Sequence, residues 1–153
     1  MHPCNLIEIA GGLQKQRDRV LDVMAFCIDE MMPRHRSLDI MVHLGNYEKT
    51  QAVLGQCLHV GGNEFQIDID SKQDLYNLIL TTCHEMVHVN QYARKQLKEA
   101  YPKTLWFGKS YTDQRCLPWE LEAWKQQKPL CHKYIKEHTN YTIKDIKVLD
   151  KRC

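Results

Sequence analysis

One stretch of the sequence carries the strongest pattern: Cys83-His84-Glu85-Met86-Val87-His88-Val89-Asn90-Gln91. Its motif His-Glu-x-x-His places two histidines four residues apart, so on a helix both imidazoles lie on one face, a turn apart. In that arrangement both reach one tetrahedral zinc ion at about 2.0–2.1 Å per nitrogen. Glu85 lies about 100° round the helix, where a carboxylate acts as base toward a water molecule. The motif therefore predicts a zinc-dependent hydrolase, in particular a peptidase, with His84 and His88 as ligands and Glu85 as general base.

Length and composition indicate an ordinary globular protein. The chain of 153 residues is 43% hydrophobic and 26% charged, which predicts one domain over residues 1–153. Its net charge of +2, without a long basic run, predicts no nucleic-acid partner. No stretch approaches the roughly 18 consecutive apolar residues of a membrane span. The N-terminus lacks a basic opening, and Glu8 interrupts its apolar run, so we expect a cytoplasmic protein without a signal peptide.

The seven cysteines do not form a recognisable framework. Their number is odd and no Cys-x-x-Cys occurs, which argues against a zinc ribbon and against a regular set of disulfides. We expect reduced thiols, most of them behaving as small buried hydrophobic residues.

Hydrophobic periodicity before the motif predicts one helix and a small sheet. Apolar residues recur every three or four positions from Leu13 to Met32, and Pro33 ends the pattern. Three extended segments follow, and the last two flank the turn signal Gly61-Gly62-Asn63, which predicts a β-hairpin. The three segments are residues 38–44, 53–60 and 64–70, whereas residues 1–11 predict only a short lead-in. We expect an α+β fold in which the N-terminal helix packs on an antiparallel or mixed sheet of about three strands.

The helix that carries the motif is predicted over residues 71–97. Ser71 is a good N-cap, and Asp74 three residues later completes a weak capping box. The apolar stripe includes Met86, which lies about 200° round the helix from His84. The metal-binding face is therefore expected to turn away from the sheet.

The C-terminal part predicts further helices. Residues 101–117 read as loop or short strand, and Pro118 suits the first position of a helix that ends at Pro129. Another helical piece runs to about His138, and residues 139–153 form an ambiguous tail that ends in Cys153.

A catalytic zinc of this type needs a third protein ligand. Glu120 and Glu122 share one predicted helix but point about 200° apart, so only one of them faces the metal. Glu120 has another explanation, because a carboxylate three residues into a helix satisfies free backbone amides. Glu122 is followed by the small Ala123, which allows close approach of a second helix, and we therefore favour Glu122. The other candidates are Asp113, His132 and His138.

The motif followed by a downstream helix with Glu122-Ala123 resembles the gluzincin branch of the zincin metallopeptidases. The order of helix, small sheet, active-site helix and glutamate helix resembles the minimal single-domain members, the minigluzincins. The stretches His84–Tyr92 and Pro118–Trp124 are also similar to small phage and bacterial zincin-like proteins. The resemblance implies that His84, His88 and Glu122 hold Zn²⁺ and that Glu85 moves the proton in hydrolysis of a protein or peptide substrate. In thermolysin-like relatives an Asp follows the ligand Glu by four residues, and this chain has Gln126 there.

The resemblance also gives roles to the surroundings. Strand 64–70 would be the sheet edge along the cleft, to which an extended peptide adds by backbone hydrogen bonds. An oxyanion needs a further donor, for which Tyr111, Tyr134 and His132 are candidates. The tail 139–153 is either a loosely ordered terminus or, as in some minimal zincins, a segment that occupies the cleft.

Aromatic residues near the C-terminal helix have two readings. Trp106, Phe107, Trp119 and Trp124 suit a hydrophobic substrate pocket, although such clusters are more often core.

Three other functions remain open at this stage. They are a zincin-fold binding module with little catalysis, a closed structural metal site with four protein ligands, and a Spartan-like peptidase that acts on DNA-bound proteins. Glu85 argues against the first, and the weak net charge does not favour the last.

Overall fold

The computed structural model describes residues 4–51, 53–111, 115 and 117–138. Its elements mix helices and strands, as expected for an α+β fold. In chain order they are β1 (Leu6–Gly11), α1 (Gln14–Met31), β2 (Asp39–Gly45), α2 (Tyr47–Gln51), β3 (Gly55–Gly61), β4 (Glu64–Asp70), α3 (Leu75–Ala93), β5 (Leu97–Ala100), β6 (Lys103–Trp106), β7 (Lys109–Ser110) and α4 (Pro118–His138).

The main sheet has four strands in the order β1-β2-β4-β3. Strands β1, β2 and β4 are parallel, whereas β3 pairs antiparallel with β4 and so forms the predicted hairpin. The expectation that residues 1–11 are only a lead-in is wrong, because β1 adds to β2 as a parallel edge strand. The expectation that β4 forms the edge is also wrong, since β4 lies between β2 and β3. Strand β3 is the edge on that side.

The core lies between the sheet and two helices. Alternate residues of β2 and β4, such as Ile40 and Ile67, are fully buried, while their neighbours face the other way. Val23 and Met24 of α1 and Met86 of α3 pack in the same cluster. The predicted apolar stripe of the motif helix therefore faces the sheet, and its histidines lie on another side.

Helix α3 is shorter than the sequence predicts. Its N-cap is Asp74 rather than Ser71, because the Asp74 side chain accepts a hydrogen bond from the backbone N–H of Asn77 at 2.8 Å. It ends at Ala93, and Lys95 follows with a left-handed φ of 61°. Leu97, predicted to be helical, begins strand β5.

Strands β5, β6 and β7 form a separate three-stranded antiparallel sheet after α3. The sequence predicts only a loop or short strand there. Helix α4 then continues through Pro129, where we expect a break. Proline leaves the carbonyl of Lys125 without its helical donor, but both side chains lie on the exposed side, where water satisfies such a group.

The remaining sequence predictions divide by whether the structure describes their residues. Among the described residues the five cysteines are free thiols, of which Cys27, Cys83 and Cys131 are buried. No helix in this part of the chain is long and apolar enough to cross a membrane. Asp113, Cys153 and the predicted tail 139–153 lie outside the described residues.

Candidate metal centre

Three side chains from two helices converge at the predicted site. His84 and His88 lie one turn apart on α3, and their Nε2 atoms are 3.2 Å from each other. Glu120 of α4 brings Oε2 to 3.2 Å from His84 Nε2 and Oε1 to 2.8 Å from His88 Nε2. The potential ligand atoms of the three residues all lie within 4.8 Å of one another. This is a two-histidine, one-carboxylate group that a single metal ion could join.

The preference for Glu122 as the third ligand is corrected by this geometry. Glu122 Oε1 accepts a hydrogen bond from Gln91 Nε2 at 3.1 Å and is not part of the group around the histidines. Of the other candidates, His132 Nε2 lies 3.0 Å from the Tyr76 hydroxyl, and His138 stacks on Tyr134.

Ala123, the small residue that led us to favour Glu122, lies on a different face of α4 from Glu122. Ala123 is fully buried, as expected where two helices approach closely. Glu120 precedes it by three residues and Gln127 follows it by four, so these three lie on one side of the helix. Glu122, adjacent to Ala123 in sequence, is rotated about 100° away. The useful signal is therefore the residue three positions before the alanine.

Each histidine meets a glutamine oxygen through its other ring nitrogen. His88 Nδ1 lies 2.8 Å from Gln91 Oε1, and His84 Nδ1 lies 2.7 Å from Gln127 Oε1. Metal-bound histidines generally donate this N–H to an acceptor, which fixes the tautomer and the orientation of the ring. Neither glutamine was predicted from the sequence to have this role.

The donor set fits a cation. When each Nδ1 carries a hydrogen for its glutamine, each neutral imidazole presents an Nε2 lone pair to the carboxylate of Glu120. Three acceptors facing one another require either bound protons or a positive ion between them. Two imidazole nitrogens and one carboxylate oxygen form a ligand set typical of catalytic zinc.

The pKa values of Glu120 and His88 are shifted in the directions that favour an ion pair between them. Partial burial opposes ionisation of Glu120, but hydrogen bonds from His84 and His88 outweigh burial and lower the pKa of this carboxyl well below its ordinary value. Burial alone would lower the pKa of His88, but hydrogen bonding to Glu120 and the charge of Glu85 raise it above its ordinary value of 6.5. The carboxylate is thus held ionised beside the rings.

Glu85 lines a cavity of about 240 Å³ together with His84, His88 and Glu120. Its side chain is only 4% exposed, and this burial raises the pKa of Glu85 to about 7 against the opposing charges of His88 and His84. A buried carboxylate that titrates near neutral pH, next to a candidate metal group, has the properties of a general base.

Edge strand β3 passes directly over Glu85. A Cβ atom on Gly55 would lie 2.7 Å from Thr81 Cγ2 and 3.0 Å from Glu85 Oε1, so only glycine permits this approach. Gly55 also lines a second cavity, of about 340 Å³, on the other side of Glu85, with Leu80 and Trp124 in its wall. The two cavities meet at His84, Glu85 and Gly55.

The predicted oxyanion donors occupy three different places. The buried Tyr134 hydroxyl donates to Asp22 at 2.6 Å, at the contact between α1 and α4. His132 pairs with Tyr76 and does not line either cavity beside Glu85. Of the three, only Tyr111 is close to the site, because it packs edge-on against Trp119, which lines the 240 Å³ cavity together with His84, His88 and Glu120.

The four aromatic residues predicted as a possible pocket do not form one group. Trp106 packs against Phe107 and Trp119. Trp124 is 57% exposed and lines the second cavity instead.

Comparison of the whole chain with known proteins gives no match. No family model matches this chain. No curated protein and no solved structure matches it either. The function is therefore inferred from the chemistry of the residues themselves.

Proposed function

We propose that this protein is a zinc-dependent peptidase. One observation carries the proposal: His84, His88 and Glu120 converge within 4.8 Å while Glu85, buried and with a pKa of about 7, lines the same cavity. A structural metal site does not need a buried carboxylate beside its ligands. A hydrolytic site needs one as a base.

In this proposal His84, His88 and Glu120 hold zinc. When bound, the ion lowers the pKa of a water molecule toward 7 and polarises the carbonyl of a substrate. Three protein ligands leave one position open, as in catalytic rather than structural zinc sites.

Glu85 is the proposed general base. It takes a proton from the attacking water and delivers it to the leaving amine, which requires a carboxylate that both accepts and releases a proton near neutral pH. In the metal-free protein the burial of Glu85 raises its pKa to about 7.

The geometry of β3 favours an extended peptide as substrate. Among the described residues the strand pairs with β4 alone, and it borders both cavities beside Glu85. An extended peptide adds to such an edge through backbone hydrogen bonds, with side chains directed into neighbouring cavities. The α+β arrangement, with the base and two ligands on one helix and a carboxylate on another, is compatible with the zincin resemblance noted from the sequence.

The experiment is a comparison of wild type with Glu85→Gln on two readouts. Zinc content of the purified protein is measured by elemental analysis, and turnover is measured on a library of quenched fluorescent peptides. We expect the variant to keep about one zinc per chain and to lose at least about 100-fold of the peptide cleavage, the usual size of a general-base contribution.

Glu137→Gln is the matched control, because Glu137 is exposed near the end of α4 and should leave both readouts unchanged. Peptide cleavage that survives Glu85→Gln would overturn the mechanism. Stoichiometric zinc without any cleavage by wild type would favour a binding module instead.

A further inference from the structure

Gln91 is the most constrained side chain around the candidate metal centre. It is completely buried, and its amide nitrogen donates to the backbone oxygen of Trp119 at 3.0 Å and to Glu122 Oε1 at 3.1 Å. Both partners only accept hydrogen bonds. The NH₂ group of Gln91 must therefore face α4, and its oxygen must face His88 Nδ1, 2.8 Å away.

This orientation determines the tautomer of His88. An amide oxygen only accepts, so Nδ1 of His88 must be the protonated nitrogen when the ring is neutral. The lone pair then lies on Nε2, the atom that points toward Glu120 and His84. Glu122, although not a ligand, acts on the same ring through Gln91.

Gln127 supports His84 in a simpler way. Its Oε1 accepts from His84 Nδ1 at 2.7 Å, and among the described residues no hydrogen bond from its amide nitrogen is seen. Gln127 also lines the open second cavity, whereas Gln91 is enclosed. The contact at position 127 therefore needs an acceptor only, and the contact at position 91 needs an acceptor and two donor hydrogens.

We propose that Gln91 and Gln127 are positioning residues that preset the two histidines as Nε2 metal ligands, and that Glu122 and the Trp119 carbonyl lock Gln91 in that role. The inference rests on the zinc site of the proposed function. In this inference two uncharged amides accept the second ring N–H of the histidines, as carboxylates do in many metal sites.

The test measures zinc affinity by competition with a chromophoric chelator, together with the imidazole ¹⁵N resonances of the zinc-loaded full chain. Gln91→Met and Gln127→Met keep the side-chain length and remove the hydrogen bonds. Each should weaken zinc binding about 10–100-fold, as loss of such an acceptor does in other metal sites. The Nδ1–H resonance of the corresponding histidine should shift and exchange faster with water.

Substitution by glutamate separates the two positions. Gln127→Glu keeps an acceptor and should bind zinc at least as tightly as wild type. Gln91→Glu directs a carboxylate oxygen at the Trp119 carbonyl and at Glu122, so it should not restore binding. A role in packing alone would not give this difference, nor would it change the ¹⁵N signature.

Gln126→Met is the control, because Gln126 lies on the outer side of α4 in a groove with Lys125 and Pro129. It should leave affinity and resonances unchanged. If Gln91→Met does not fold, the pair Gln127→Met and Gln127→Glu tests the positioning role, since the Gln127 side chain lines the open second cavity.

The outcomes distinguish this inference from the proposed function. If wild type binds zinc and cleaves peptides, but the Gln91 and Gln127 variants match Gln126→Met in affinity and resonances, the positioning role is wrong while the peptidase proposal stands. If wild type does not bind zinc, both are overturned.

Discussion

Helices α3 and α4 contribute to the same site from very different surroundings. Helix α3 supplies His84, Glu85 and His88, and most of its circumference is buried between the sheet, α1 and α4. Helix α4 supplies Glu120 and Gln127 from one side and exposes the opposite side, including Lys125 and Pro129.

The difference shows two ways in which a candidate metal ligand is placed. The relation between His84 and His88 is internal to one helix, since a spacing of four residues puts both on one face whatever packs around them. Glu120 has no such local relation to them. Its position depends on which side of α4 meets α3, and this is set by the buried Trp119 and Ala123.

The largest effect is expected from replacing Glu120 and Glu122 of α4 one at a time. Glu120→Gln removes the charge that faces both histidines and should weaken zinc binding by more than about 100-fold, beyond the loss expected for a supporting residue. Glu122→Gln keeps an oxygen that accepts from Gln91 and should change the affinity only slightly. The measurement is the dissociation constant from chelator competition. The opposite order of effects would restore Glu122 as the ligand and break the assignment of the α4 face.

A second prediction concerns how the burial of Glu85 on α3 changes the free energy of unfolding. Burial raises the pKa of folded Glu85 to about 7 from 4.5, so folding favours its protonated form. The resulting stabilisation is complete below about pH 4.5 and is lost as the pH rises through 7. At pH 8 metal-free Glu85→Gln should therefore be more stable than metal-free wild type by about 2–3 kcal/mol, and at pH 5 the difference should nearly vanish.

Urea unfolding of the metal-free proteins at the two pH values checks this prediction. Glu137→Gln, the exposed counterpart on α4, should show no such dependence. A difference between wild type and Glu85→Gln that is the same at pH 5 and pH 8 would mean that folding does not raise the pKa of Glu85.

The smallest of the three effects tests the contact between the helices. Ala123 has no accessible surface where α4 packs against α3, so Ala123→Leu adds carbon atoms where no space is left. Overpacking of this kind costs about 1–3 kcal/mol and should also weaken zinc binding, because α4 must move together with Glu120. Leu121→Ala, at a position that is 50% exposed, should stay within about 0.5 kcal/mol of wild type. If Ala123→Leu changes neither the urea midpoint nor the zinc affinity, the register of α4 does not depend on this contact.

Much of the fold follows from local patterns. The helix at residues 14–31, the strand at 39–45 and the hairpin of β3 and β4 agree with periodicity and turn signals within one or two residues at most boundaries. Strand β1 was missed because only Ile7 and Ile9 turn inward, and its pairing partner β2 is about thirty residues away. Pro129 was wrongly predicted to end a helix. An exposed proline is tolerated inside α4 because tertiary packing stabilises the other side of the helix.

The sequence by itself determined the pair His84 and His88, the adjacent Glu85 and the face of α3 on which they lie. These are relations within a single helix, where backbone geometry converts spacing into direction. Only the tertiary structure decided that Glu120 and not Glu122 meets the histidines, that β3 is the edge over Glu85 among the described strands, and that a glutamine oxygen lies beside Nδ1 of each ring. Each of these depends on how separate elements pack. The small residue Ala123 indicates that two helices approach closely, but it does not indicate which nearby glutamate faces the other helix.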